Sequence, residues 1–234
     1  MLSFTTGVSM IQLINESNAG CMVNDAGALP GILEETRNLV IWKRPANPRV
    51  ERWVSLWLSR IDLEIDRTIH PDHDVTDELV HELCAAGCPP GAGMCDFAID
   101  ITFLAGSFAR IAGLEQARVR LETLRDDGCT KFHVDSLRLR MLCTYAGPGT
   151  EWVPNEYVNR RELGNGAETM EKANRRIVPD PSHVQVTPTG AVMIFKGSGY
   201  DNRPHTGLVH RSHPVRHAGE IRLRLCIDEP DSGY

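Results

Sequence analysis

At 234 residues, 41% of them hydrophobic, the chain holds enough apolar side chains for one substantial core, and one main domain is expected. The formal charge of -6, from 25 Lys and Arg against 31 Asp and Glu, excludes bulk electrostatic attraction to nucleic acid or to an acidic membrane, so neither is expected as a partner. Seven cysteines (21, 84, 88, 95, 129, 143 and 226) accompany a start, Met1 to Thr6, with no basic region and no unbroken apolar run; reduced thiols in a cytoplasmic protein are the expectation.

Residues 1–35 mix polarity, with several Gly and Asn and no sustained period, and read as a weakly structured N-terminal arm. Residues 36–234 read as a single domain, with 36–117 as helical support. Within that support Asn38 to Trp42 suits a short strand. Val50, Trp53, Val54, Trp57, Leu58 and Ile61 recur at helical spacing, as a core-facing stripe does. Thr76 reads as the N-cap of a helix carrying Leu79, Val80 and Leu83. The cysteines that follow, Cys84, Cys88 and Cys95, with His81 nearby, fit zinc spacing only loosely and lack a second pair, so they read as buried or free thiols. Phe97, Ile101, Leu104, Phe108 and Ile111 predict a second supporting helix from Asp96 to about Gly113.

After Gly113 the period changes from helical to alternating, and 118–228 reads as a β core. Arg118 to Leu124 alternates charged and apolar residues, and Asp126-Asp127-Gly128 turns the chain into Cys129-Thr130-Lys131-Phe132-His133-Val134-Asp135. As a strand, that segment projects His133 and Asp135 to one face, because successive side chains alternate. A further apolar run spans Arg138 to Tyr145 and ends at Gly147-Pro148-Gly149. Residues 154–181, rich in Asn, Glu and Arg and bordered by prolines, read as an insertion or lid rather than core. His183 to Val186 and Ala191 to Phe195 are expected to pair as a hairpin across Pro188-Thr189-Gly190. The last strands are Gly207 to His210 and Glu220 to Asp228; in the latter Arg222, Arg224 and Cys226 share one face.

An imidazole and a carboxylate on one face make half of a metal site, and one more histidine completes a facial triad of two histidines and a carboxylate. His210, which ends a late strand, fits best; His205, His213 and His217 compete, and Pro214 prevents His213 and His217 from sharing a helix face. The expected metal site is therefore His133, Asp135 and His210, with no catalytic residue beyond the metal centre.

Phe132-His133-Val134-Asp135, the run Arg138 to Glu151, and Gly207-Leu208-Val209-His210-Arg211-Ser212-His213-Pro214 resemble a bacterial family of unknown function. Over about residues 118–228 the same motifs resemble the core of the 2-oxoglutarate/Fe(II) dioxygenase superfamily, with its HxD pair, distal histidine and following basic residue. That resemblance implies an α+β, mainly β fold: a double-stranded β-helix (jelly-roll, cupin-like) core behind an N-terminal helical layer. It implies Fe(II) on His133, Asp135 and His210, with 2-oxoglutarate gripped by Arg222 or, failing that, Arg224, and Tyr145 as a further hydrogen-bond donor to the cosubstrate. The implied activity is hydroxylation of a small-molecule or protein substrate. Two rivals remain open at this point: a non-catalytic cupin-like protein holding Zn for metal homeostasis or sensing, and an interaction domain in which His133 and Asp135 are an ordinary hydrogen-bonded pair.

Overall fold

The computed structural model describes residues 20–166, 169–202 and 205–230. In chain order it contains β1 (Gly20–Val23), β2 (Leu39–Trp42), α1 (Pro48–Trp57), β3 (Glu64–Ile69), α2 (Thr76–Ala85), α3 (Ala92–Ala112) and β4 (Ala117–Leu124). There follow β5 (Leu139–Ala146), β6 (Glu151–Val153), α4 (Met170–Ile177), β7 (Gln185–Val186), β8 (Val192–Lys196), β9 (Val209–Arg211) and β10 (Arg222–Asp228). Short 3₁₀ turns join several of them.

Each helix has a local cause. At α1 the Asn47 side chain accepts from the amides of Arg49 and Val50 at 3.0 and 3.4 Å, and Pro48 sits where its missing N–H costs nothing. A ten-residue helix is marginal alone, so its buried stripe of Val50, Trp53, Val54 and Trp57 fixes it. Trp53 packs against Trp57 and Phe97 with ring centroids 5.3 Å apart in both cases. Each such side chain contributes about 1.5–3 kcal/mol on burial, more than any propensity difference along the helix. Thr76 is the first helical residue of α2 rather than its cap: Val75 holds the cap position without a side-chain bond, and the Thr76 amide donates to Asp74 Oδ1 at 3.0 Å. α3 ends at Gly113, whose φ of 67° is left-handed. By length and hydropathy α3 resembles a membrane span, but 56% of its most apolar window is buried against the rest of the protein.

Seven strands form one sheet in the order β1-β2-β8-β5-β10-β4-β3, and three form another, β7-β6-β9. All pairings are antiparallel except β1 with β2. Helices α1, α2 and α3 cover one face of the large sheet, where Leu223, Leu225 and Ile227 of β10 meet Phe97, Leu104 and Phe108 in the main core. The other face looks toward the small sheet across Leu39, Ile41, Leu142, Trp152, Met193, Phe195 and Leu208. Behind the small sheet, Phe132, Val153, Ile177, Val178 and Val209 make an outer cluster. This is an α+β arrangement of two facing sheets with helices, and among the described residues neither sheet closes into a barrel.

Four expectations need correction. Residues 20–35, read as part of a loose arm, hold β1 and a 3₁₀ segment whose Leu29 and Ile32 are fully buried against β2; residues 1–19 lie outside the described residues. Cys129 to Asp135 is not a strand: only His133 forms an isolated antiparallel bridge, to His210. Gln185–Val186 and Val192–Lys196 do not pair as a hairpin, since β7 joins β6 in the small sheet and β8 lies between β2 and β5 in the large one. The segment 154–181, read as an insertion or lid rather than core, does contribute to a core: Ile177 and Val178, at 0 and 3% exposure, pack in the outer apolar cluster behind the small sheet. β3 escaped sequence reading although Glu64 to Ile69 alternates exposed and buried positions.

The helix contact supplies one test of packing. Gly93 in α3 abuts α1 so closely that an added Cβ would collide with Trp53 Cβ and the Arg49 carbonyl. Gly93→Ala should therefore destabilise by about 1–3 kcal/mol despite alanine's better helix propensity. Urea denaturation will read this, and a neutral or stabilised variant would show that α1 yields at that contact.

Candidate metal centre

His133 and His210 are brought together by the backbone before their side chains do anything. The His133 amide donates to the His210 carbonyl and the His210 amide to the His133 carbonyl, both at 3.0 Å. The pair is thus a narrow antiparallel bridge whose two imidazoles share a side, with ring centroids 4.5 Å apart. Asp135, two residues on, turns its carboxylate between them: Oδ1 lies 3.4 Å from His133 Nε2 and Oδ2 3.4 Å from His210 Nε2. The three potential ligand atoms all lie within 4.8 Å of one another.

The local contacts also select the tautomers. His133 Nδ1 is 2.8 Å from the Lys131 carbonyl and His210 Nδ1 is 3.2 Å from the Leu208 carbonyl. Each Nδ1 therefore carries the proton it donates, leaving the Nε2 lone pairs facing Asp135, as a metal-binding imidazole requires. The segment bearing His133 is clamped by α4, where the Asn174 side chain accepts from the Phe132 amide and donates to the Thr130 carbonyl, both at 2.8 Å. The Asp135 carbonyl is held from the far side by the amide and hydroxyl of Ser198, at 2.8 and 3.1 Å.

Asp135 is almost wholly enclosed and is neutralised by Arg140 of β5, whose Nη1 donates to Oδ2 at 2.8 Å. The same guanidinium donates from Nε and Nη2 to the two oxygens of buried Asp228 at 2.6 and 2.7 Å, and Arg120 reaches Asp228 at 2.5 Å. Two guanidinium groups thus meet two carboxylates in the interior, a balanced set beside the triad. Burial pushes His210 down to about 4 and keeps it neutral. Burial acts the same way on His133, but Asp135, which accepts from Nε2 only when the ring is protonated, and the Lys131 carbonyl outweigh it and raise the pKa of that imidazole. Burial would lift the Asp135 carboxyl; the facing imidazoles and Arg140 override it and hold it below the ordinary carboxylate range.

The remaining residues singled out from sequence fall in different places. Arg222 is 1% exposed on the face of β10 that looks toward the small sheet, and its Nη2 lies 3.4 Å from Thr150 Oγ1. Its Nε has no hydrogen-bond partner among the described residues, and desolvation with the neighbouring Arg224 lowers its pKa to about 10, so it stays cationic at neutral pH. Arg224, by contrast, is committed to Glu122 at 2.6 Å. Tyr145 is turned away from the triad, onto the helical side of β5, where its hydroxyl donates to Asp100 at 2.5 Å and its ring meets Phe97 edge-on at 4.6 Å. A register shift in the β5–β10 pairing between Leu223 and Arg224 accompanies that placement. Among the competing histidines, His213 Nδ1 sits 2.8 Å from Glu151 on the outside of the small sheet, His205 is exposed, and the side chain of His217 lies outside the described residues. Sequence reading missed Arg140, Asp228, Thr150 and Asn174. Charged residues at alternate positions of apolar strands, Arg140 in β5 and Asp228 in β10, were the available signal.

Two imidazole nitrogens and a carboxylate fit a divalent transition metal, and nothing in the donor set alone separates iron from zinc. Comparison with curated proteins gives no match. Among solved structures, a prolyl-4-hydroxylase of Pseudomonas putida is similar at 13% identity, over 87% of this chain and 97% of that one, with a TM-score of 0.38. AtDAO1, a dioxygenase for auxin oxidation from Arabidopsis thaliana in complex with 2-oxoglutarate, is similar at 10% identity, over 90% and 91%, with a TM-score of 0.42. A C-terminally truncated protein of Neurospora crassa, in its apo form, is similar at 12% identity, over 95% and 99%, with a TM-score of 0.43. Residues 24–228 match the family described as Protein of unknown function (DUF1826), and the chain belongs to that family.

Proposed function

We propose that this protein is an Fe(II)- and 2-oxoglutarate-dependent oxygenase whose core is a double-stranded β-helix. Support for the fold comes from the order in which the chain visits the sheets. β4, β5, β8 and β10 belong to the large sheet; the His133 bridge, β6, β7 and β9 are the segments of the small one. Eight segments therefore divide four and four between facing sheets, changing sheet at every step except from β6 to β7, as in a jelly roll, with β1, β2 and β3 added at the edges of the large sheet.

The observation that carries the function is Arg222. A fully buried guanidinium that touches a threonine hydroxyl and, among the described residues, no carboxylate is costly unless an anion joins it. It lies twelve positions after the distal histidine, where the superfamily resemblance puts the residue that grips the cosubstrate. Charge agrees with this reading: the interior around Asp135 is already balanced, so a divalent cation is best accompanied by a dianion, and 2-oxoglutarate is one. In this scheme His133, Asp135 and His210 hold the metal and Arg222, with Thr150, takes the distal carboxylate. Bound iron with 2-oxoglutarate and dioxygen supplies oxidation of a substrate coupled to decarboxylation of the 2-oxo acid. The chain's own work is orientation: Arg140 fixes the Asp135 carboxylate, Lys131 and Leu208 fix the imidazole tautomers, and the two apolar layers exclude water. Tyr145 and Arg224 take no part.

Anaerobic titration of metal-free protein with Fe(II) and then 2-oxoglutarate tests the reading through the visible charge-transfer band of the chelated 2-oxo acid. The band should appear, and His210→Ala should remove it. Arg222→Ala should keep the metal and weaken 2-oxoglutarate by roughly 30-fold or more, the equivalent of a lost buried charge contact of about 2 kcal/mol. Tight Zn binding with no 2-oxoglutarate affinity would replace this reading with the metal-binding module.

A further inference from the structure

A second concavity adjoins the triad. A cleft of about 200 Å³ opens between β1, β2 and the start of the 154–181 segment, walled by Met22, Leu39, Ile41, Leu208 and Trp152, with Tyr157 and His183 also lining it. The last two rings are stacked, their centroids 3.5 Å apart and their planes within 4° of parallel. Trp152 is the cross-strand partner of His210, and Leu208 precedes His210 by two residues on the same side of β9. The inner wall of the cleft is thus the strand pair that carries the distal histidine.

Its size and lining restrict the occupant. The volume lies below the roughly 300–1,000 Å³ of sites for drug-sized ligands, so one ring or a fused pair fills it. Among the described residues no Lys or Arg lines it to receive an anion, and a cation would find only the exposed Glu156. The walls are a flat indole and a flat stacked pair, surfaces that favour planar π systems. Asn38 and Gln185 add polar groups beside them. We infer that this cleft binds an uncharged planar ring, carried by the substrate of the adjoining metal centre. The ring site stands on the cleft alone, whereas its role as substrate site rests on the oxygenase reading above.

The test begins with metal-free full-length protein and indole, followed by saturation-transfer NMR, with cyclohexanol and benzoate as comparators. Indole should bind at least about 10-fold more tightly than either, since only it combines a flat face with neutrality. Met22→Trp, which fills the cleft from β1, should abolish binding, and Tyr157→Ala with His183→Ala should weaken it about 10-fold, with circular dichroism unchanged. Equal binding of cyclohexanol, or indole binding indifferent to both variants, would overturn the ring site. Mn(II) is then added to read the link to the metal. Broadened indole signals support the placement; bound Mn(II) without broadening overturns it. Failure of Mn(II) to bind at all would count against the oxygenase reading and leave the ring site supported by its own titration.

Discussion

Asp135→Ala will abolish tight binding of divalent metal, with affinity falling by at least about 100-fold. Loss of a partner one shell out typically costs 10–100-fold, and among the described residues Asp135 is itself the only carboxylate grouped with both imidazoles. The fold should survive, because Arg140 keeps its paired contacts to Asp228 and the backbone carbonyl of residue 135 keeps Ser198. Competition titration with a chromophoric chelator and metal analysis of the purified variant measure the effect. His133→Ala and His210→Ala should match it, whereas Cys84→Ser should leave metal content intact, since Cys84 is exposed and its sulfur lies 3.7 Å from that of Met94. Unchanged affinity in all three ligand variants would dispose of the site.

Arg140→Ala is expected to have the largest effect on stability, about 3–5 kcal/mol. Its guanidinium is the shared partner of Asp135 and Asp228, which are 2 and 0% exposed, and removing it takes a charge-assisted contact from each of two buried carboxylates. Arg120 still reaches Asp228, so the greater penalty falls on Asp135. Against a typical total of about 5–15 kcal/mol that is a large fraction of the stability. Urea denaturation at neutral pH reads it directly. Arg140→Lys should recover only part, because an ammonium cannot serve three acceptors in the forked geometry seen here. A loss below about 1 kcal/mol would mean that water reaches Asp135 and screens it.

What was legible in the sequence follows from which interactions are local. α1 and α3 were visible because their apolar stripes repeat every turn, and β4, β5 and β10 because they alternate or run apolar. His133, Asp135 and His210 could be singled out for their residue types, yet the reason given was wrong in one respect. They converge through an irregular segment clamped by Asn174 and Ser198, not through the alternation of a strand. The contacts of Tyr145 and Arg224, to Asp100 and Glu122, were not legible, because face and partner depend on a register shift and on Glu122, 102 residues away along the chain. The Val186 and Val192 strands lie close in sequence and belong to different sheets, a choice made by the small sheet's need for a third strand and not by the turn between them. Arg140 stands out in the sequence as a charge in an apolar strand, but its partner Asp228 is set by the pairing of β5 with β10 and is not local.

The position of β10 has a consequence for how the chain reaches this state. Among the described residues it follows the other nine strands in chain order, but it lies inside the large sheet, between β4 and β5, with residue pairs such as Leu225 to Leu121 and Leu225 to Cys143 on either side. Until it arrives, β4 and β5 present two unpaired edges across a gap, and the helices have only half a surface to pack on. Such long-range closure makes for slow assembly and for intermediates that stick to one another. Synthesis therefore delivers this interior strand after both of the strands it pairs with.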